Sequence, residues 1–326
     1  MSKIIKELVM CFIATTSLLL VTGSMVSATT NEKVYKSFSL HSEKSKFPMK
    51  LSNSLVIDIT PNEEPVIKKE NRVFWQGVGG WMSSEISFTV TKNNDTYLYY
   101  KTGAGGTDSV EVIGVNRDGK IFMNKTFDGD GAAMHARFMS SSIIEIGIEG
   151  YSPYYDGSTA SKHSGSFKSK FYQLYVNGSV KEAVYFDSTF ASLAKKGQLK
   201  WVPGALGMSF SNLKSAVQDP YARQDMAEHY NFYYTAVGMY GFYYNNDFSK
   251  SIKPNAKVRG IFRTSDLHGN RKELRPFFRK QFGKEVLSYG THLDVYRVGK
   301  YYLGVQYFDA DTVHLNLTTD NVFRLN

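Results

Sequence analysis

Residues 86–101 read Ile86-Ser87-Phe88-Thr89-Val90-Thr91-Lys92-Asn93-Asn94-Asp95-Thr96-Tyr97-Leu98-Tyr99-Tyr100-Lys101, and this stretch decides the fold class. Ile86, Phe88 and Val90 alternate with Ser87, Thr89 and Thr91, the period of a half-buried strand. Asn93-Asn94-Asp95 turns the chain, because short polar side chains tolerate the backbone angles of a tight turn. A second strand over 97–101 then completes a hairpin.

The same texture continues outward. Residues 109–116 and 120–127 flank Arg117-Asp118-Gly119, and 171–176 and 180–186 flank Asn177-Gly178. Asp-Gly and Asn-Gly between alternating apolar runs are strong short-range hairpin signals. Ile144, Ile146 and Ile148 alternate again, and 103–106 is a glycine-rich loop. These strands predict an antiparallel β-sandwich or barrel over 71–195. Lys195-Lys196-Gly197 marks a change of texture, and 196–326 reads as a second, β-rich α+β domain with one or two short helices. Asp219-Pro220 predicts a helix over 221–230, with Asp as N-cap and Pro in the first turn. Strands follow over 232–244 (two), 257–262, 291–297, 301–308 and 313–317, with a basic connector at 268–284. A single large all-β domain or a propeller is the alternative, although no fixed repeat of 20–50 residues occurs. Upstream, 29–70 is a polar lead-in that contributes one strand, around Leu55-Val56-Ile57-Asp58-Ile59.

Residues 1–28 carry the pattern of a cleavable signal peptide: Lys3 and Lys6, an uncharged apolar run over 8–21, and Val26-Ser27-Ala28. The run is shorter than the roughly 20 residues that span a bilayer as a helix, so release without a transmembrane anchor is expected. Cleavage removes Cys11, the single cysteine, and leaves a chain without disulfides that is held by burial alone. The net charge of +9 becomes +8, since the signal carries Lys3, Lys6 and Glu7. A secreted or wall-associated location sets that charge beside extracellular polyanions, and no nucleic-acid partner is expected.

The basic segment 257–284 holds Lys257, Arg259, Arg263, Arg271, Lys272, Arg275, Arg279, Lys280 and Lys284 against Asp266 and Glu273. Nine cations against two carboxylates leave +7, interleaved with Phe277, Phe278 and Phe282. Such a cluster attracts polyanions by charge and by the guanidinium fork. Teichoic-acid-like polymer, anionic lipid and nucleic acid all fit by charge. Pro276 interrupts a continuous amphipathic helix, which disfavours insertion into a membrane. Trp75 and Trp81 flank Gly77, Gly79 and Gly80; exposed, they would stack on a sugar ring, and otherwise they belong to the core.

Asp128 and Asp130 lie two apart on a glycine-rich turn and suit Ca²⁺, but the EF-hand pattern is absent and a plain turn explains them equally. Asp225, Glu228 and His229 share one face of the expected helix, and Asp266 and His268 share a polar knot. No serine elbow, metal-protease motif or reactive cysteine accompanies them, so no catalytic residue and no resident cofactor is assigned. The leading expectation is a secreted, non-catalytic surface protein that binds an anionic or carbohydrate polymer. Its contact residues are Arg259, Arg263, Arg271, Lys272, Arg275, Arg279, Lys280, Trp75 and Trp81. A secreted hydrolase using Asp128/Asp130, Asp225/Glu228 or Asp266 is the alternative, and an exported structural or immunity-type protein a third.

Overall fold

Alternating apolar residues turn most of this chain into strands. The computed structural model describes residues 33–34, 37–79, 83–104, 107–129, 132–151, 163–217, 222–227, 230–235, 238–243, 251–263, 267–308 and 312–320. The expected signal peptide lies outside them. Among the described residues strands far outnumber helices, so the protein is mainly β.

In chain order the strands are β1 (Lys33–Val34), β2 (Phe38–Ser39), β3 (Met49–Lys50), β4 (Val56–Ile59), β5 (Pro65–Lys69) and β6 (Arg72–Gln76). Next come β7 (Ser83–Val90), β8 (Thr96–Ala104), β9 (Thr107–Val115), β10 (Ile121–Asp128), β11 (Met134–Ser140), β12 (Ile143–Tyr151), β13 (His163–Leu174) and β14 (Val180–Glu182). Helices α1 (Ser188–Lys195) and α2 (Phe210–Val217) precede β15 (Arg223–Ala227), β16 (Tyr230–Tyr234), β17 (Gly238–Tyr243), β18 (Val258–Arg263) and β19 (Leu267–His268). Helix α3 (Arg271–Phe282) leads to β20 (Leu287–Tyr289), β21 (Leu293–Val298), β22 (Tyr301–Phe308) and β23 (Thr312–Thr318). Among the described residues no helix is long and apolar enough to cross a membrane.

The opening hairpin is β7–β8, in register Ile86↔Tyr100 and Phe88↔Leu98. Asn94 takes the left-handed conformation at its turn (φ 62°), where an Asn side chain costs little. Strands β7–β10 form a meander, edged by β1 and β2, and both of its faces are buried. Ile86, Phe88, Leu98, Tyr100, Ile113 and Val115 meet one core, and Tyr97, Tyr99, Val110, Val112 and Met123 meet another. This is why 97–100 is apolar at every position instead of alternating.

The layer on the first face is a four-stranded antiparallel sheet, β3-β4-β5-β6. The lead-in therefore supplies most of a sheet where one strand was expected. Leu55, Ile57 and Ile67 turn inward, while Glu63 and Glu70 sit in tight turns with positive φ. Those solvent-side charges mask the alternation. The layer on the second face is β11–β13, through Met134, Ala136, Phe138, Ile144, Ile146 and Leu174.

Strands β11–β13 open a 13-stranded sheet that continues β19-β23-β18-β17-β16-β15, with β20–β22 branching from β23. It curls into a half-barrel. All its pairings are antiparallel except the short β13–β19 contact, Ser169↔Leu267. The largest core joins Ile143 and Phe171 to residues as late as Leu317, and α1, α2 and α3 add Phe190, Phe210, Leu213 and Phe278.

Two local expectations change. Residues 223–227, expected in a helix, pair as β15 with β16 from Arg223↔Tyr234 to Ala227↔Tyr230. The aromatic partner strand, rich in β-formers, overrides the N-cap signal of Asp219-Pro220. Residues 271–282, read as a connector broken by Pro276, form a continuous helix. Pro276 lies on its exposed side, and the carbonyl that it leaves without a donor belongs to exposed Lys272. Asn270 caps α3 by accepting from the Glu273 backbone N–H at 3.0 Å, and Gly283 ends it at φ 88°. Asn270→Ala is expected to cost about 1 kcal/mol, measured as a lower midpoint in urea unfolding; an unchanged midpoint would show that the cap contributes nothing.

Candidate functional site

The cations of the C-terminal half divide into two kinds. Arg271, Arg275 and Arg279 recur every four residues and so share one face of α3. Opposite them stand Asp294 on β21 and Glu285, just beyond the helix. Arg271 donates from Nε and Nη2 to Asp294 at 3.0 and 2.7 Å, and also from Nη2 to Ser288 at 2.8 Å. Arg279 grips Glu285 with two bonds of 2.8 and 3.1 Å. Arg275 bonds to Glu285 and lies 3.4 Å from Asp294. Burial pushes the Glu285 carboxyl up, but hydrogen bonds from Arg279 and Arg275 prevail and hold it at about 2. Burial opposes Arg271 and Ser288 in the same way at Asp294, whose carboxyl is also lowered. This ladder pins α3 to β20 and β21. Both of its carboxylates follow residue 284, outside the stretch whose charge gave +7.

A second cluster lies inside the curled sheet. The register places Arg137, Glu145 and Phe171 in one row across β11–β13, and His135, Gly147 and Ser169 in the next. Arg137 Nε donates to Glu145 Oε2 at 2.9 Å, and Arg263 Nη2 approaches the same oxygen at 3.4 Å from β18. The side chains of Glu145 and Arg263 are fully buried. The Arg263 guanidinium stands 5.0 Å from the ring centres of both Phe171 and Tyr185. Desolvation pushes the Glu145 carboxyl up, yet Arg137, His135 and Arg263 hold it well below the carboxylate range.

Ser169, His135 and Glu145 superficially resemble a catalytic triad. A relay uses both imidazole nitrogens, one toward the acid and one toward the hydroxyl. Here His135 Nε2 is the nitrogen near both, 3.5 Å from Ser169 Oγ and 3.8 Å from Glu145 Oε1. The arrangement is an electrostatic tie between β11–β13 and β18. Glu145 and Arg263 are 118 residues apart in sequence, so no local motif announces the tie.

The lysines point elsewhere. Lys195 and Lys196 end α1, Lys280 and Lys284 bracket the end of α3, and Lys300 sits in the β21–β22 turn; all five are exposed. These three chain stretches meet. Lys195 Nζ lies 5.9 Å from the Phe282 ring centre, and its carbonyl oxygen is 3.4 Å from where a Cβ on Gly299 would stand. Lys300 Nζ lies 5.3 Å from the centre of Tyr301, whose ring approaches Gly197. Among the described residues none of the five lysines has a carboxylate oxygen within 4 Å, whereas Glu285 and Asp294 are held by arginines.

The other expected site residues are placed as follows. Arg263 is internal, so it is not a surface contact. Trp75 is 8% exposed in the core, edge-on to Tyr100, and donates from Nε1 to Glu111 at 3.3 Å; it offers no face to a sugar. Arg259 is half-buried on β18, and Lys272 is exposed on the outer side of α3. Asp128 is exposed at the end of β10, Asp225 lies on β15 and His268 on β19. Trp81, Asp130, Glu228, His229 and Asp266 lie outside the described residues. Among the described residues no group of three or more His, Cys, Asp or Glu is arranged to hold a metal ion.

The ladder makes the fold sensitive to acid. A carboxylate with a depressed folded pKa confers stability above its unfolded value, 4.5 for Glu and 3.8 for Asp. That stability is lost as pH falls from there through the folded value. The melting temperature is expected to hold from pH 7 to 5 and then to drop steeply toward pH 2; equal values at pH 5 and 2.5 would contradict the ladder.

No known protein family matches the chain, and no curated protein is significantly similar to it.

Proposed function

We propose that this chain is an exported, non-catalytic protein that binds an anionic polymer through the lysine rim formed by Lys195, Lys196, Lys280, Lys284 and Lys300. The observation that carries the reading is the division of cations. The arginines of α3 are consumed by Asp294 and Glu285, whereas the five lysines lie exposed on three chain stretches that meet and, among the described residues, have no carboxylate oxygen within 4 Å. Lysines near the ends of α1 and α3 also complement the helix dipoles, which accounts for Lys195 and Lys280 but not for Lys284 or Lys300.

The three carboxylates of the arginine clusters do not suit a general acid. A general acid needs a pKa raised toward neutrality. Glu145, Glu285 and Asp294 are each shifted down by arginine partners, which keeps them ionised.

Retention on an immobilised anionic polymer tests the reading. Five lysine–anion contacts give a log–log salt slope near −3.5, so affinity falls roughly 100-fold between 50 and 200 mM salt. Capture at 50 mM and release at 200 mM is the expected result, and no capture at 50 mM would overturn it.

A further inference from the structure

We infer that the polymer is a flexible phosphodiester chain with a non-aromatic, polyol-type repeat, recognised by charge alone; this rests on the lysine-rim reading above.

The absence of an available fork is the first argument. Guanidinium groups read carboxylate and phosphate geometry with two parallel bonds, whereas ammonium groups act as point charges that suit phosphate without fixing its orientation. On α3 the forks of Arg271 and Arg279 are turned onto Asp294 and Glu285. What remains at the rim is ammonium and Arg297, whose Nε and Nη1 already donate to the Gly299 carbonyl and the Tyr302 hydroxyl.

Extent is the second. The rim's charges sit on the ends of two helices and on a separate turn, and Lys272 extends the cationic surface along α3. Lys272 and Lys280 are eight residues apart, about 12 Å along a helix. One small anion cannot touch both Lys272 and Lys280, whereas a chain that bends between its charges can reach each in turn.

Two alternatives of similar charge fit less well. A lipid surface calls for apolar residues that enter the headgroup layer. Leu274, Phe277, Phe278 and Phe282 of α3 all pack against the core, and the outer side carries Lys272, Glu273, Pro276, Arg279 and Lys280. Single-stranded nucleic acid gains about 1–3 kcal/mol per base from stacking on open aromatic faces. The rim's rings are already covered by cations, Phe282 by Lys195 and Tyr301 by Lys300.

Binding of the whole protein to five probes at 50 mM salt tests the inference. They are poly(glycerol phosphate), a dT oligomer with the same number of phosphates, polygalacturonate of equal charge, vesicles with 30% phosphatidylglycerol, and inorganic phosphate. The expected result is that poly(glycerol phosphate) binds at least as tightly as each other probe, and that millimolar inorganic phosphate does not displace it. Tenfold tighter binding of the dT oligomer, the polygalacturonate or the vesicles, or displacement by submillimolar phosphate, would overturn the inference while leaving the rim as a polyanion site. Failure of every polymer and vesicle to bind would overturn the rim reading as well.

Discussion

Glu145→Gln is expected to lower the free energy of unfolding by about 3–5 kcal/mol, the range for removing one partner of a buried ion pair. Arg263 has no route to water, since its side chain is fully buried between Phe171 and Tyr185. Without the carboxylate its charge stays in an apolar setting, and a neutral amide repays little of the desolvation. Arg137, whose side chain is 22% exposed, adjusts more easily and so contributes less. Removing charge and counter-charge together relieves most of the loss. The double variant Glu145→Gln/Arg263→Met is therefore expected to be more stable than Glu145→Gln alone. Urea unfolding followed by tryptophan fluorescence measures both variants. A loss below 1 kcal/mol for the single variant, or a double variant weaker than the single, would show that the pair is not what ties β12 to β18.

The second large effect concerns binding. Replacing Lys195, Lys196, Lys280, Lys284 and Lys300 together by Gln is expected to weaken polyanion binding roughly 5,000-fold at 50 mM salt. Each basic side chain near an anionic surface contributes about 1 kcal/mol. Their exposure predicts little damage to the fold, because surface substitutions usually stay within about 0.5 kcal/mol each. Arg275→Gln is expected to do the opposite, lowering stability while leaving affinity within about threefold. Isothermal titration of each variant, paired with its unfolding midpoint, separates the two kinds of cation. A five-lysine variant that still binds within tenfold of the unaltered protein would remove the rim from the account.

The strands were legible because their cause is local. Alternation in 86–90, Asn-rich and Gly-rich turns at 93–95, 117–119 and 177–178, and the C-terminal strands all follow from side-chain period and turn chemistry. The half-barrel follows too, once those strands pair. Helix α1 was hidden because Lys195-Lys196-Gly197 reads equally as a helix end or a linker; it is a helix end, with Gly197 at φ 78° donating to the Ala194 carbonyl. Residues 223–227 were misread because their conformation depends on a partner strand rather than on their own propensity.

The candidate site was less legible, and the reason is electrostatic. Counting charge over 257–284 treats every cation as solvated. Tertiary contact sets Arg263 against Glu145, and sets Arg271, Arg275 and Arg279 against Asp294 and Glu285. Partners 118 positions away, or just past the edge of the window, do not enter such a count. What survives of the basic segment is its lysines, joined by Lys195, Lys196 and Lys300 from stretches that sequence alone did not connect to it.

On the proposed reading the arginines of α3 brace the fold and the rim lysines bind the polymer. The most direct test is the dependence of affinity on salt, measured for the unaltered protein and for the five-lysine variant on one phosphodiester polymer. A log–log slope of about −3.5 that collapses toward zero in the variant is the expected result. An unchanged slope in the variant, or a slope lost instead in Arg275→Gln, would contradict it.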